Sequence, residues 1–355
     1  MKQLTFAAAA ALLTSTAIVH AGGIERTTQS VGMIFEEGSY AEFALSFVAP
    51  SVSGVDPTPG QNPTGDMANN YFGLSGGYKT DIGDKMALAV IFDQPFGVDS
   101  EYPPGSYYGG VNATLDANAV TLLGSYDVSD RFVVYGGGVA QTISANAAVP
   151  IVAGYSTNLD GDTGFGYVAG AAFQIPEYAL RVALTYRSEI STDHATSEGF
   201  GVPPAPTGST NITTPQSVNL EFQTGINPKT LVFGSVRWVE WSQFSIAPPS
   251  YPLNPLVSYQ DDRIGYSLGV GRKLSDTLSA AATIGYERTL PGAASILSPT
   301  SGYFSLGGGV TYSLGDAEIT AGLKYLWLGD VVDSNGGVFE NNTALAAGIK
   351  VSIAM

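Results

Sequence analysis

Few residues in this chain combine the side-chain types that catalysis needs. After residue 21 the chain contains one histidine, His194, and three polar residues stand near it in sequence: Ser191, Asp193 and Ser197. A hydrolase needs a histidine that takes the proton of a nucleophilic serine, and both must be held by a rigid wall. Because we expect residues 193–211 to form an outer loop, the sequence favours a solvated His194 over a catalytic one.

Two short stretches match the Gly-x-Ser-x-Gly pattern of a nucleophile elbow, GLSGG at 73–77 and GYSLG at 265–269. The elbow works because its serine sits on a sharp turn between a strand and a helix. Neither stretch has that context, and both are interpreted as small-residue faces of strands. With one histidine and no cysteine, carboxylates alone remain as metal ligands. We therefore expect no enzyme, no metal site and no cofactor.

Three cations on otherwise small-residue strand faces are better candidates for a binding role. Arg187, Arg263 and Lys324 are predicted to bind an anionic head group, because charge-assisted hydrogen bonds hold carboxylates strongly. Acidic residues share the same predicted face: Glu189, Glu221 and Glu287. The alternative is that the cations form structural ion pairs within the protein.

The elements that must position these residues are strands with a period of two. In AEITAGLKYLWLG, residues 317–329, the alternate positions from Ile319 to Trp327 are apolar, and Lys324 lies on the other face. This alternation is typical of a β-strand. Similar patterns predict fourteen strands, near 39–48, 69–80, 85–94, 108–127, 131–146, 162–175, 179–192, 212–226, 229–246, 257–272, 277–290, 302–314, 316–328 and 340–354.

The predicted connections alternate between short turns and long, Pro- and Gly-rich stretches; the long ones include 50–68, 95–107, 193–211 and 247–256. An even number of long antiparallel strands with this asymmetry is typical of outer-membrane barrels. A sheet in lipid must close on itself, since lipid offers its backbone no hydrogen bonds. We therefore predict an all-β fold, a 14-stranded antiparallel transmembrane β-barrel whose apolar face meets lipid.

Composition and the first residues agree with a location outside the cytoplasm. A formal net charge of −16 argues against a nucleic-acid partner, which would need clustered Lys and Arg. Lys2, an apolar stretch at 4–19 and the small residue Ala21 indicate a secretory signal. The predicted organisation is a signal peptide at 1–21, a short N-terminal hatch at 22–38 and a barrel at 39–355. Beyond the N-terminus, no apolar run reaches the roughly 18 residues of a membrane helix.

Two segments resemble a known family: YFGLSGGYKTDIGDKMALAVIFDQPFGVDSEY at 71–102 and TPQSVNLEFQTGINPKTLVFGSVRWVEWSQF at 214–244. They are similar to the FadL/TodX-type outer-membrane transporters of long-chain fatty acids and other hydrophobic compounds, and the similarity extends over nearly all of the mature chain. The resemblance implies that a ligand is caught among outer loops, bound inside the barrel and released sideways at a kinked third strand.

That implied mechanism makes further residues candidates. Loop aromatics, including Phe96, Phe200 and Tyr251, are predicted to capture the ligand, although aromatic residues in long loops also pack against each other. Val90 and Phe92 lie in a third strand that is apolar on both faces, and Pro95 ends its ladder. These three residues are predicted to form a lateral gate, and a plug packed on the inner face of the strand would explain the same pattern.

The N-terminal segment departs from the family, because 22–38 is short and lacks the Asn-Pro-Ala motif of the usual hatch. We still expect it to enter the barrel from below, with Ile34 and Phe35 as apolar contacts. The predicted protein is a monomer in the bacterial outer membrane, in contact with outer-membrane lipid and the barrel assembly machinery. It takes up long-chain fatty acids or related hydrophobic compounds. The alternatives are a general porin for small polar solutes, a lipid-acting barrel enzyme and a structural or adhesive barrel.

Overall fold

The computed structural model describes residues 24–253, 255–290 and 294–355, which form a closed antiparallel barrel. Its fourteen strands, three of them in two pieces, are β1 (Tyr40–Ser51), β2 (Tyr71–Ile82), β3a (Met86–Asp93) and β3b (Gly97–Glu101), β4 (Asn112–Ser129), β5 (Phe132–Val149), β6 (Tyr155–Ile175), β7a (Leu180–Arg187) and β7b (Ile190–Phe200), β8a (Ala205–Thr214) and β8b (Ser217–Asn227), β9 (Thr230–Val239), β10 (Arg263–Lys273), β11 (Leu278–Glu287), β12 (Tyr303–Leu314), β13 (Ala317–Leu328) and β14 (Thr343–Ala354).

The barrel closes where β14 pairs with β1, with Ala354 opposite Tyr40 and Thr343 opposite Ser51. The predicted fold class and strand number are therefore confirmed. The predicted signal peptide at 1–21 lies outside the described residues. No helix among the described residues has the length and apolar character needed to cross a membrane.

Small elements decorate the connections. The long connections of the outer end contain short strands at Gly54–Val55, Val331–Val332 and Val338–Phe339, which form one small sheet, and at Ser245–Ile246 and Val257–Ser258, which form another. Single 3₁₀ turns occur at Gly32–Phe35, Pro176–Tyr178 and Trp241–Gln243.

The two faces of the strands differ in polarity, because one face meets lipid and the other faces the barrel interior. On β13 the side chains of Ile319, Leu323, Tyr325 and Trp327 are exposed outward, while Lys324 is buried. The outward Tyr325 and Trp327 rings meet edge to face, 4.7 Å between centroids. Aromatic side chains at this position are typical of the membrane–water interface, where one end of the ring is apolar and the other wet.

Strands 5 to 8 extend further outward than the sequence predicts, and strand 3 resumes as β3b at Gly97–Glu101, inside the predicted long loop at 95–107. The predicted outer loop at 193–211 is wrong, because β7b and β8a occupy most of it and only residues 201–204 connect them. Thr, Ser and Asn lie on both faces of this hairpin. Because these residues are common in loops, the sequence shows no alternation of apolar and polar residues that would predict its strands. His194 is fully buried on β7b, and Glu189, predicted to face the lumen, is exposed at the break between β7a and β7b.

Candidate functional site

The backbone hydrogen-bond ladder between β2 and strand 3 (β3a and β3b) is interrupted in the outer half of the barrel. The last regular pair is Gly76 opposite Phe92. Further out, Asn69 donates its backbone N–H to Asp99 O over 3.0 Å. Between these points, residues 70–75 and 93–98 form an interval that we call the wall window. Across it, Leu74 donates its backbone N–H to the Gln94 side chain over 2.9 Å.

Residues 24–27 take the place of β2 beside strand 3 within the wall window. The Arg26 N–H donates to Pro95 O over 2.7 Å, and the Gly97 N–H donates to Ile24 O over 2.8 Å. Glu25 and Phe96 form an antiparallel bridge between these bonds. The free edge of strand 3 is therefore satisfied by the N-terminal segment, which fits the rule that buried backbone groups need partners.

Polar side chains of the barrel interior hold the same segment at several points. Arg237 of β9 donates to the carboxylate of Glu25, and both side chains are almost fully buried. Thr27 donates to Asp93 over 3.0 Å, and Ser30 donates to Glu221 over 3.3 Å. Each strand that contributes a contact is far from residue 30 in sequence, so these contacts depend on the tertiary fold of the barrel.

Further toward the inner end the segment is apolar. Ile34 is buried with Tyr40 of β1 and with alanines of β3a. The Phe35 ring meets Tyr135 edge to face at 5.5 Å, and the Arg181 guanidinium lies over it at 4.4 Å. These contacts place both predicted hatch residues against inward-facing side chains of the barrel.

A cavity of about 110 Å³ lies between the N-terminal segment and the wall. Gln29 and Phe35 line it on one side, and Gly76 and Phe92 line it on the other. Since Gly76 and Phe92 are the last regular pair below the wall window, the cavity reaches the place where the ladder lapses.

The three predicted gate residues all lie on or next to β3a. Val90 is exposed outward, Phe92 is half-buried, and Pro95 accepts the Arg26 N–H described above. The structure therefore brings these residues together with the N-terminal segment at one part of the wall.

The predicted ligand-binding aromatics fall into two groups. Phe96 is buried below the outer loops, edge to face with Trp241 at 5.9 Å. Phe200 and Tyr251 both contact Tyr155, at 5.3 and 4.7 Å between ring centroids. Phe200 is 42% exposed at the end of β7b, whereas Tyr251 is buried, and burial raises the pKa of the Tyr251 phenol. An exposed ring backed by two others is a surface that can accept an apolar ligand.

The predicted cations lie on three strands that are not neighbours. Arg187 of β7a donates to Gln29 O over 2.9 Å. Arg263 of β10 donates to the Ser301 hydroxyl over 3.0 Å. Lys324 of β13 is buried and lines a second cavity of about 30 Å³. The structure therefore does not assemble them into one anion site.

Sequence reasoning missed Arg26, Arg237 and Asp93 as contributors to this region. Arg237 and Asp93 are the inward charges of their strands, so their alternation with apolar neighbours was a usable signal. Arg26 offered no such signal, because the residues around it follow no period.

One outer loop is organised around a carboxylate. Asp56 accepts hydrogen bonds from the Thr58 hydroxyl at 2.6 Å, from the Asn62 N–H at 3.1 Å and from the Tyr107 N–H at 2.9 Å. The Thr58 hydrogen bond and then the backbone and Asn62 donors hold the pKa of Asp56 down at about 2. Asp56 therefore ties the connection after β1 to the connection after β3b, directly outside the wall window.

A second lapse of the ladder separates β6 from strand 7. Regular pairing ends at Val168 opposite Arg187 and resumes at Leu159 opposite Thr196. We call the interval, residues 160–167 and 188–195, the β6–β7 seam. His194 and Asp162 bridge it: His194 Nδ1 lies 2.7 Å from Asp160 O, and the Asp193 N–H donates to Asp162 over 2.8 Å.

Glycines allow the two sides of the seam to touch. A Cβ at Gly164 would lie 2.4 Å from Ser191 O, and a Cβ at Gly166 would lie 2.6 Å from the Ile190 side chain. Within the described ranges, no three His, Asp or Glu side chains are grouped to hold a metal ion. His194 and its acidic neighbours are therefore structural links across the wall.

A closed barrel with an apolar outer surface and a tightly filled interior defines an outer-membrane β-barrel protein. The chain belongs to the family described as outer membrane protein transport protein (OMPP1/FadL/TodX), whose model matches residues 24–352. It is an outer-membrane protein of a transport family.

Solved structures share the fold at low sequence identity. A Pseudomonas aeruginosa FadL homologue is 15% identical with a TM-score of 0.74, covering 90% of this chain and 91% of its own. The Pseudomonas putida toluene transporter TodX is 13% identical with a TM-score of 0.67, over 90% and 91%. The Ralstonia pickettii toluene transporter TbuX is 15% identical with a TM-score of 0.63, over 98% and 94%. No curated protein sequence matches this chain.

Proposed function

We propose that this protein takes up hydrophobic compounds, long-chain fatty acids among them, and releases them sideways into the membrane through the wall window. The observation that carries the proposal is the lapse of the ladder between residues 70–75 and 93–98, at a place occupied by a separate segment of chain. A wall made only of paired strands would have to unfold to open. Here the backbones of the two strands are already apart, so the departure of residues 24–27 and the loss of the Leu74–Gln94 hydrogen bond would open the wall.

Physical chemistry favours a sideways route for an apolar compound. Each buried CH₂ group is worth about 0.8 kcal/mol, which would be lost if the compound had to leave through water. The outward face below the wall window is apolar, with Val90 and Phe92 on β3a. A compound that leaves there meets apolar side chains as soon as it reaches the lipid-facing surface.

The proposed path begins at the outer end. Phe200, backed by Tyr155 and Tyr251, offers an exposed aromatic surface for capture. Phe96 and Trp241 form an apolar interior directly inside the wall window. The toluene transporters TodX and TbuX share this fold, and an apolar cargo for this protein is consistent with the transport of toluene by those two proteins.

The experiment that tests the proposal is uptake of labelled oleate and labelled dodecane by cells that express or lack the protein. We expect saturable uptake of at least one compound above the background of the empty strain. Purified protein is also placed in planar bilayers, where we expect no steady conductance, since the N-terminal segment occupies the interior. A steady conductance for small ions with no saturable uptake would replace the proposal with a general porin.

A further inference from the structure

Arg26 is an unusual charge, because it is buried in the barrel wall without a strong partner. Its side chain is 9% exposed, and its nearest carboxylate oxygen, on Asp116, is 3.9 Å from Nη1. That separation is beyond hydrogen-bond distance. Among the described residues, Arg26 Nε has no hydrogen-bond partner. A buried charge in this state is costly unless something pairs with it.

The residues around the Arg26 guanidinium leave a space that it fills. Its central carbon lies 4.2 Å from the centre of the Tyr71 ring, which leaves the N–H groups at its edge available. A Cβ at Gly97 would lie 2.2 Å from that carbon, so the absence of a side chain at Gly97 makes the space that Arg26 occupies. The site is therefore built by β2, β3b and the N-terminal segment together.

The guanidinium lies at a boundary in the wall. The Arg26 side chain projects from the lumenal N-terminal segment toward Asp116. Asp116 faces outward on β4, and its side chain is 68% exposed. Beside it, Gln94 donates to Asn118 over 3.1 Å, so the wall is polar at this level. Further inward along the same face, Phe92 and Val120 are apolar and the latter is exposed.

We propose that Arg26 binds the carboxylate of a long-chain acid at the wall window, while the alkyl chain of the acid lies along the apolar face below. This inference rests on the proposed function and names the residue that distinguishes an acid from a neutral hydrocarbon at the wall window. A guanidinium presents paired donors that match a carboxylate, which a neutral hydrocarbon cannot use. The other interior arginines already have closer partners: Arg181 donates to Gln223, Arg187 to Gln29, Arg237 to Glu25 and Arg263 to Ser301.

The test compares Arg26→Gln with Arg272→Gln, which removes an exposed arginine of β10 that does not contact the N-terminal segment. Uptake of oleate and dodecane is measured in cells, and oleate binding is measured on purified protein in neutral detergent without lipopolysaccharide. We expect Arg26→Gln to weaken oleate binding and raise the oleate concentration for half-maximal uptake about tenfold, since one charge-assisted pair is lost. Dodecane uptake stays unchanged, and Arg272→Gln resembles the wild type for both compounds.

Two further variants separate binding from structure. Gly97→Ala retains the charge but displaces the guanidinium, and we expect it to reproduce the loss for oleate. Asp116→Asn removes the competing carboxylate, and we expect it to strengthen oleate binding. Assembly of each variant is checked by its faster migration on gels before boiling.

Several outcomes would overturn the inference. If Arg26→Gln lowered the uptake of oleate and dodecane equally, Arg26 would merely position the N-terminal segment. If it raised the uptake of both equally, Arg26 would only obstruct the wall window. A defect that needs lipopolysaccharide would identify a lipid phosphate as the anion. Unchanged oleate binding in Arg26→Gln would reject the site while leaving the proposed function intact, whereas a wild type that takes up neither compound would reject both.

Discussion

The barrel wall loses its ladder at two places, and different parts of the chain close them. At the β6–β7 seam, side chains of the two strands themselves bridge the lapse, and Gly164 and Gly166 let the strands touch. At the wall window, the strands stay apart, and residues 24–27 supply the missing backbone partners. A lapse in pairing is therefore not in itself an opening. What matters is whether the closing groups can leave without unfolding the wall.

The largest expected effect comes from linking the two sides of the wall window. The chain has no cysteine, so a Leu74→Cys, Gln94→Cys pair can be joined selectively by a bis-maleimide reagent whose spacer contains a reducible disulfide. We expect uptake to fall by about tenfold or more, because gating motions must precede passage, and to recover on reduction. The matched pair across the seam, Tyr167→Cys with Ser188→Cys, should leave uptake unchanged. Equal effects of the two pairs would show that the comparison is mistaken.

A second prediction concerns the anchor of the N-terminal segment. Glu25→Ala leaves Arg237 buried without its carboxylate, which typically costs 3–5 kcal/mol, so we expect residues 24–27 to leave strand 3. Trypsin should then cleave after Arg26 in the folded variant but not in the wild type. Asp276→Ala, which breaks an exposed ion pair with Lys273, is the control and should change nothing. Protection of Arg26 in the Glu25 variant would contradict the proposed anchor.

A third prediction concerns the seam, where no separate segment can leave. His194→Ala removes the link to Asp160 O and should lower the free energy of unfolding by about 1–3 kcal/mol, as expected when a buried polar group loses its partner. Urea unfolding in detergent measures the change, and His194→Asn, which retains a donor, should lose less. Uptake by the folded fraction should stay normal. Unchanged stability would mean that glycine contacts alone close the seam.

The smallest expected effect is a pH dependence of backbone hydrogen exchange in the outer loops above the wall window. The pKa of Asp56 is lowered to about 2 in the folded state, so its stabilising contribution is complete above its ordinary value near 4 and is lost as the pH falls toward 2. Hydrogen exchange should become faster at Thr58, Asn62 and Tyr107 over that interval. Asp56→Asn should show the faster exchange already at neutral pH. Backbone amides of the seam should not respond over the same interval, and a parallel response there would indicate general acid unfolding.

The barrel and its polarity were predictable from the sequence because alternation is a local property. Ile319 to Trp327 alternate with small and polar residues, and the structure confirms that the apolar side faces outward. Pro95 was predicted to end the ladder of strand 3, since proline cannot donate to a ladder, but the strand resumes at Gly97. The alternation failed for 193–211, where both faces are polar, and His194 was consequently misplaced in a loop.

What the sequence determined by itself is therefore the class of protein: a closed barrel in the outer membrane. Tertiary structure decided that the third strand is interrupted and how the interruption is closed, because the groups that meet there are remote in the chain. Arg26 reaches Asp116, and Glu25 pairs with Arg237 across 212 positions. No periodicity encodes such contacts, since they arise only when fourteen strands have closed around a segment whose own sequence follows no repeating pattern.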